Sequence, residues 1–188
     1  QDPDIVMVGE IRDMETADMA VQAALTGHLV LSTLHTNDAP SAVTRLLDLG
    51  TPAYLLNATL LGVMAQRLVR TLCPQCKQAS PLTHEEEEIW QAMVSPWKAA
   101  KPQKVYHPVG CLDCRMTGYV GRVGLYEIML MSPELRKLVT PATELARVRE
   151  LAYREGMKPL RISGAMKVAA GLTTLEEVLQ VAPPAQNE

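Results

Sequence analysis

The chain has no hydrophobic run long enough to cross a bilayer. Its longest mostly apolar stretch, residues 53–65, is broken by Asn57 and Thr59 and falls short of the roughly 20 residues a spanning helix needs. It lacks a net basic charge as well: 18 Lys and Arg stand against 21 Asp and Glu, for a net charge of −3. No overall field therefore favours nucleic acid. There is no internal repeat, and the one low-complexity tract is Glu85-Glu86-Glu87-Glu88. No secretory signal opens the chain, whose first residues belong to an acidic, strand-like segment. The phosphate-cradling signature Gly-x-x-x-x-Gly-Lys-Ser/Thr is missing too, and no lysine is followed by Ser or Thr. What these absences leave, over 188 residues, is one ordinary domain plus an appendage. The expectation is a soluble, cytoplasmic protein without a transmembrane segment.

The organising stretch is 2–37. It opens Asp2-Pro3-Asp4-Ile5-Val6-Met7-Val8-Gly9-Glu10-Ile11-Arg12-Asp13 and closes Gly27-His28-Leu29-Val30-Leu31-Ser32-Thr33-Leu34-His35-Thr36-Asn37. Two short apolar runs, 5–8 and 29–31, each end in a burst of polar residues. Such unbroken runs predict strands buried on both faces, as in parallel sheets covered by helices. Between them Ala17, Ala20, Val21, Ala24 and Leu25 recur at helical spacing. Gly27 stands where a helix end favours a left-handed residue. The prediction is one β-α-β unit. Ligands of such sheets bind beyond the carboxyl ends of the strands, where Glu10, Arg12, Asp13, His35, Thr36 and Asn37 fall.

Four cysteines form two Cys-x-x-Cys pairs, Cys73/Cys76 and Cys111/Cys114, with 34 residues between them. Two thiolates from each tight knuckle complete a tetrahedral Zn²⁺ site with no open position, so the metal is structural. Disulfides or redox dithiols are the alternatives, and a reducing compartment disfavours the former. Zinc would tie down an insert too small to bury a core unaided.

The remaining punctuation predicts mostly helix. Asn37-Asp38-Ala39-Pro40 starts one that buries Ala42, Val43, Leu46 and Leu47 and ends at Gly50. A longer core helix is predicted over about 53–71, with Arg67 and Arg70 on one face, reaching either phosphate, a neighbouring subunit or solvent. Thr83-His84-Glu85-Glu86 is a capping box opening a helix to about Val94. Residues 95–108 read as loop and 123–129 as a strand. Further helices start at Ser132-Pro133-Glu134, at Thr143-Glu144, near Leu160 and at Thr174. Residues 183–188 read as a frayed tail.

In this order the motifs resemble the type II secretion ATPases, the general secretion pathway protein E family, and the related type IV pilus assembly ATPases. Residues 4–13 look like their Walker B segment and 27–37 like their histidine box. The resemblance continues through Ala65-Gln66-Arg67-Leu68, the cysteine pairs and Gly121-Arg122-Val123-Gly124-Leu125-Tyr126-Glu127, to Thr173-Thr174-Leu175-Glu176-Glu177-Val178. It implies an α/β fold: the C-terminal part of a RecA-like P-loop ATPase core, with an inserted four-cysteine zinc subdomain and a C-terminal helical subdomain. The expected divisions are 1–72, 73–131 and 132–188. The phosphate loop and an acidic box would lie upstream of Gln1, making the chain a C-terminal fragment that is inactive alone.

The resemblance also assigns roles. Glu10, otherwise a loop acid, becomes the carboxylate that orients water beside ATP and Mg²⁺; Gly9 replaces the usual preceding Asp. His35 becomes the nucleotide sensor, while His28 reads as a packed core histidine. Arg12 either steadies phosphate or pairs with Asp13, and Asp13 with Glu15 suits a helix N-terminus. The implied function is an ATP-driven motor of type II secretion, a homohexamer at the cytoplasmic face of the inner membrane, docked on platform proteins and assembling a pseudopilus. Type IV pilus assembly is the alternative within the family. A zinc-stabilised docking module without enzymatic activity is the alternative outside it.

Overall fold

The computed structural model describes residues 3–97 and 99–182; the tail expected over 183–188 lies outside them. Element order is β1 (Ile5–Val8), α1 (Met14–Leu25), β2 (Leu29–Ser32), α2 (Ser41–Asp48), α3 (Ala53–Thr59), β3 (Gly62–Leu72) and β4 (Gln78–Ser80). There follow α4 (His84–Val94), β5 (Val105–His107), β6 (Tyr119–Leu130), α5 (Pro133–Leu138), α6 (Leu145–Arg154), α7 (Leu160–Ala169) and α8 (Leu175–Val181). The chain divides into two compact units, one of residues 1–65 with 128–157, the other of 66–127 with 158 onward.

In the first unit β1 and β2 lie parallel, Ile5 opposite Leu29 and Val8 opposite Ser32, with α1 as the crossover. Asp13 caps α1 by accepting from the Thr16 backbone N–H at 2.8 Å, and Ala17, Ala20 and Val21 are buried. Gly27 follows α1 at φ +98°, a region costly for residues with a Cβ. The strands are not buried on both faces as their composition predicts. Ile5 is 58 % and Met7 73 % exposed, and Leu29 and Leu31 share that open face. The cause is layering: among the described residues this sheet has two strands, and α1 packs against it.

The core of this unit joins Val43 and Leu46 of α2, Leu56 of α3, Met129 of β6, Leu135 of α5, and Val148 and Ala152 of α6. Burying each such larger side chain contributes about 1.5–3 kcal/mol relative to leaving it in water. Arg136 adds hydrogen bonds to the Asn57 and Leu60 carbonyls, satisfying acceptors at the end of α3 that the helix itself leaves open.

The helix expected over 53–71 is corrected to a short helix and a long strand. α3 ends at Thr59 and β3 starts at Gly62. Burial along β3 alternates residue by residue from 62 to 71, the mark of a pleated strand. Gly62 permits close pairing, since a Cβ there would lie 3.0 Å from the Met129 carbonyl oxygen. Its partner is β6. Arg67 and Arg70, three apart on a strand, consequently point to opposite faces, not to the one face of a helix.

In the second unit β4 and β5 pair antiparallel, and β5 falls inside the region 95–108 read as loop. Thr83 and Glu86 form the expected capping box of α4, which buries Trp90, Met93 and Val94. The helices α7 and α8 pack together at Gly164, where a Cβ would collide with Val178. Arg70 is fixed here: its guanidinium bonds Glu177 Oε1 at 2.9 and 2.5 Å, and its backbone N–H bonds Oε2 at 2.9 Å. The guanidinium also lies 4.1 Å from the Tyr119 ring centroid. These donors hold the Glu177 carboxyl below its usual range against the burial that would raise it.

Candidate functional site

The polar ends of β1 and β2 meet because the backbone stitches them together. The Ile11 N–H bonds the Thr33 carbonyl at 2.9 Å, and the Thr33 hydroxyl donates to the Gly9 carbonyl at 2.7 Å. These two bonds bring Glu10, Arg12 and His35 into one cluster. Arg12 approaches Glu10 Oε2 through Nε at 2.6 Å and Nη2 at 2.5 Å. His35 Nε2 lies 2.5 Å from Oε1. The Glu10 side chain is recessed, 20 % exposed, while those of Arg12 and His35 are 75 % and 89 % exposed.

This geometry makes Glu10 an ionised acceptor at neutral pH. The Arg12 hydrogen bond, with the charges of Arg12 and His35, holds its carboxyl below the usual range against desolvation. Both Arg12 nitrogens fall on Oε2 while His35 faces Oε1, so the carboxylate still has lone pairs for a water. Arg12 thus pairs with Glu10, not Asp13, which is occupied as the α1 cap. His28 sits apart, hydrogen-bonded as expected, its Nδ1 3.0 Å from the Ala23 carbonyl and 3.1 Å from the Thr26 hydroxyl, but half-buried and not in the core.

Sequence reasoning missed what fixes the far end of the His35 loop. Asp38 Oδ2 accepts from Arg149 Nε at 3.1 Å and Nη2 at 2.6 Å. Its Oδ1 accepts from the Ser41 N–H at 2.9 Å. Asp38 was legible only as a helix-starting residue; no local signal marks Arg149. A mostly apolar cleft of about 550 Å³ in the same unit, floored by Met129, Met131, Leu135 and Met157, is lined by none of Glu10, Arg12 or His35.

In the second unit the four cysteine sulfurs gather within 4.8 Å of one another. Cys73–Cys111 is 3.9 Å, Cys76–Cys114 3.8 Å and Cys111–Cys114 3.7 Å. A tetrahedron with metal–sulfur bonds of about 2.3 Å has edges of about 3.8 Å, whereas a disulfide requires about 2.05 Å. The sulfurs therefore stand at ligand spacing, and the residues fit a four-thiolate metal. Backbone N–H groups of Gly110, Cys111 and Gly118 point at Cys76 and Cys114 sulfurs at 3.3, 3.1 and 3.2 Å. Burial alone would raise the Cys114 thiol, but the N–H groups of Cys111 and Gly118, together with the neighbouring Cys111 and Cys76 thiols, outweigh it and hold it below its ordinary value. Gly118, at φ +78°, could not carry a Cβ without striking Pro108.

The profile described as type II/IV secretion system protein matches residues 1–180. The chain is 56 % identical over 183 residues to the type IV pilus assembly ATPase TfpB of Acinetobacter baylyi, covering 97 % of this chain and 31 % of that protein. It is 49 % identical over 181 residues to the type II secretion system protein E of Aeromonas hydrophila, covering 96 % and 35 %. The chain thus spans about a third of the length of these relatives. Its fold is similar to that of the Legionella pneumophila ATPase DotB, with a TM-score of 0.62 at 23 % identity over 96 % of this chain and 38 % of the other. Among the described residues no helix is long and apolar enough to cross a membrane. The chain, an α/β fold with a four-cysteine cluster, belongs to the type II/IV secretion system protein family.

Proposed function

We propose that the chain is the C-terminal catalytic part of an ATP-hydrolysing motor that drives assembly of a pilus-like fibre at the inner membrane. The observation that carries this is the Glu10 carboxylate at the end of a parallel strand, bonded by Arg12 and His35. In nucleotide hydrolases a carboxylate so placed orients the attacking water beside Mg²⁺, and histidine and arginine respond to phosphate charge. Residues 1–72 carry that edge, 73–131 the insert tied by zinc on Cys73, Cys76, Cys111 and Cys114, and 132–188 the helical segment. Bound zinc supplies folding energy, not chemistry. The motor works as a homohexamer on cytoplasmic-side platform proteins.

The fibre is a pseudopilus in the type II secretion reading. Type IV pilus assembly is favoured by the higher identity to TfpB, 56 % against 49 %. A pure docking module is disfavoured, because an adaptor has no use for an ionised carboxylate held between His35 and Arg12.

The 188-residue chain by itself is expected to show no ATP turnover, since its sequence has no phosphate-cradling lysine motif. The full-length protein, carrying an upstream phosphate loop, is expected to turn over ATP. A phosphate-release assay on both checks this. Turnover by the purified chain alone, or none by the full-length protein in its assembled form, contradicts the proposal.

A further inference from the structure

We propose that Arg149 of α6 is a positioning residue that acts on the Glu10–His35 pair by anchoring the loop that carries His35. This rests on the hydrolytic role proposed for Glu10 and His35. The loop leaves β2 and enters α2, and its two ends are tied down by different elements. The first end is fixed at Thr33, by the hydroxyl bond to the Gly9 carbonyl at 2.7 Å and the Ile11 N–H bond to the Thr33 carbonyl at 2.9 Å. The second end is fixed at Asp38, and there α6 supplies the anchor.

Asp38 is a hub at the loop's exit. Its carbonyl accepts the Thr36 hydroxyl at 3.0 Å, one carboxylate oxygen accepts Ser41, and the other accepts two guanidinium nitrogens of Arg149. Charge-assisted bonds of this kind are roughly twice as strong as neutral ones. Next to Asp38, Ala39 is wholly buried in the core cluster together with Val148, the α6 residue beside Arg149, and Leu34 packs against that cluster. Before the exposed His35 the chain is therefore seated on the core cluster through Leu34, and after it on α6 through the Asp38–Arg149 ion pair. His35 keeps its 2.5 Å approach to Glu10 while this seat holds.

Without Arg149 the loop keeps its Thr33 anchor and the local Asp38 bonds to Ser41 and Thr36 but loses its tie to α6, so His35 samples positions from which it no longer meets Glu10. Displacement of a positioned group by about 1 Å costs up to about a hundredfold in rate. The effect should fall on turnover more than on nucleotide binding, because the Arg149 guanidinium is engaged by Asp38.

The test compares kcat, KM and melting of the full-length ATPase with Arg149→Ala, Arg149→Lys, Asp38→Asn, His35→Ala and the Arg149→Ala/His35→Ala double variant. Arg149→Ala and Asp38→Asn are expected to lower kcat about ten- to a hundredfold, with KM changed less than about twofold. Arg149→Lys, which keeps charge but loses the fork, recovers part of the loss. The deciding readout is the cycle: in the His35→Ala background, Arg149→Ala should cost less than about twofold more. Equal losses with and without His35 make Arg149 a general scaffold residue and overturn the inference, as does unchanged kcat in Arg149→Ala. Should Arg149→Ala melt early, Asp38→Asn carries the cycle in its place. Failure of the underlying function looks different: Glu10→Gln then leaves turnover intact, whereas failure of this inference alone leaves Glu10→Gln inactive.

Discussion

Glu10→Gln in the full-length protein is expected to lower ATP turnover by roughly 10²–10⁴-fold, the range for loss of a positioned proton acceptor. The amide keeps the size and planarity of the carboxylate. It presents an NH₂ group where Glu10 now accepts from Arg12 or His35, and it cannot take a proton from water. Nucleotide binding should survive, because the proposed function assigns the phosphate cradle to an upstream loop and not to this strand tip. Melting should change little, since Arg12 and His35 are open to solvent and exposed ion pairs contribute little. Turnover measured by phosphate release, beside nucleotide binding measured by fluorescence, separates the two. Loss of binding in step with turnover would move Glu10 from the reaction to the scaffold.

Cys73→Ser or Cys114→Ser is expected to abolish stoichiometric metal and to unfold the segment that the sulfurs hold together. The wild-type protein should carry about one zinc per chain. Structural zinc sites have apparent binding free energies of about 10–16 kcal/mol at neutral pH, comparable to the whole stability of an ordinary domain. The effect is therefore not a graded loss. Cys73 and Cys114 are the buried members of the set, so a serine left there is also a buried polar group without its partner. Metal analysis and hydrogen exchange across 73–114 read the outcome: the β4–β5 pair, only three residues per strand, should exchange freely once metal is lost. Proteolysis should then cut there as well. Full protection in the variants, or cysteines found as disulfides, would remove the metal from the account.

Legibility followed how local each determinant is. The β-α-β unit could be read because its signals are contiguous: the apolar run 5–8, the helical spacing from Ala17 to Leu25, and Gly27 at φ +98°. Helix starts at Thr83, Ser132 and Thr174 could be read for the same reason, each side chain accepting from a backbone N–H three residues on. The cysteine cluster was legible from spacing alone. Residues 62–72 were not. Leu61-Gly62-Val63-Met64-Ala65 satisfies a helix or a strand locally, and what decides is pairing with β6, far along the chain. Gly62 was the available hint, and its use depends on the Met129 carbonyl lying close by.

Partners far apart in sequence explain the other omissions. Arg70 meets Glu177 and Arg149 meets Asp38 across 107 and 111 positions, and nothing around either arginine announces its acid. The exposed face of Ile5 and Met7 has a related cause. Composition says that a strand is suited to burial, but which layers cover it depends on elements elsewhere. At the candidate site itself the residue types were readable; the pairing of Arg12 with Glu10 required the fold.

The most direct measurement is a structure of the full-length protein with Mg²⁺ and a non-hydrolysable ATP analogue. The Glu10 carboxylate should lie one water away from the γ-phosphate, about 2.6–3.2 Å from that water, with His35 turned toward the same phosphate. A γ-phosphate whose in-line water is held by a different acid, with Glu10 still closed on Arg12 and remote from the nucleotide, would contradict the account.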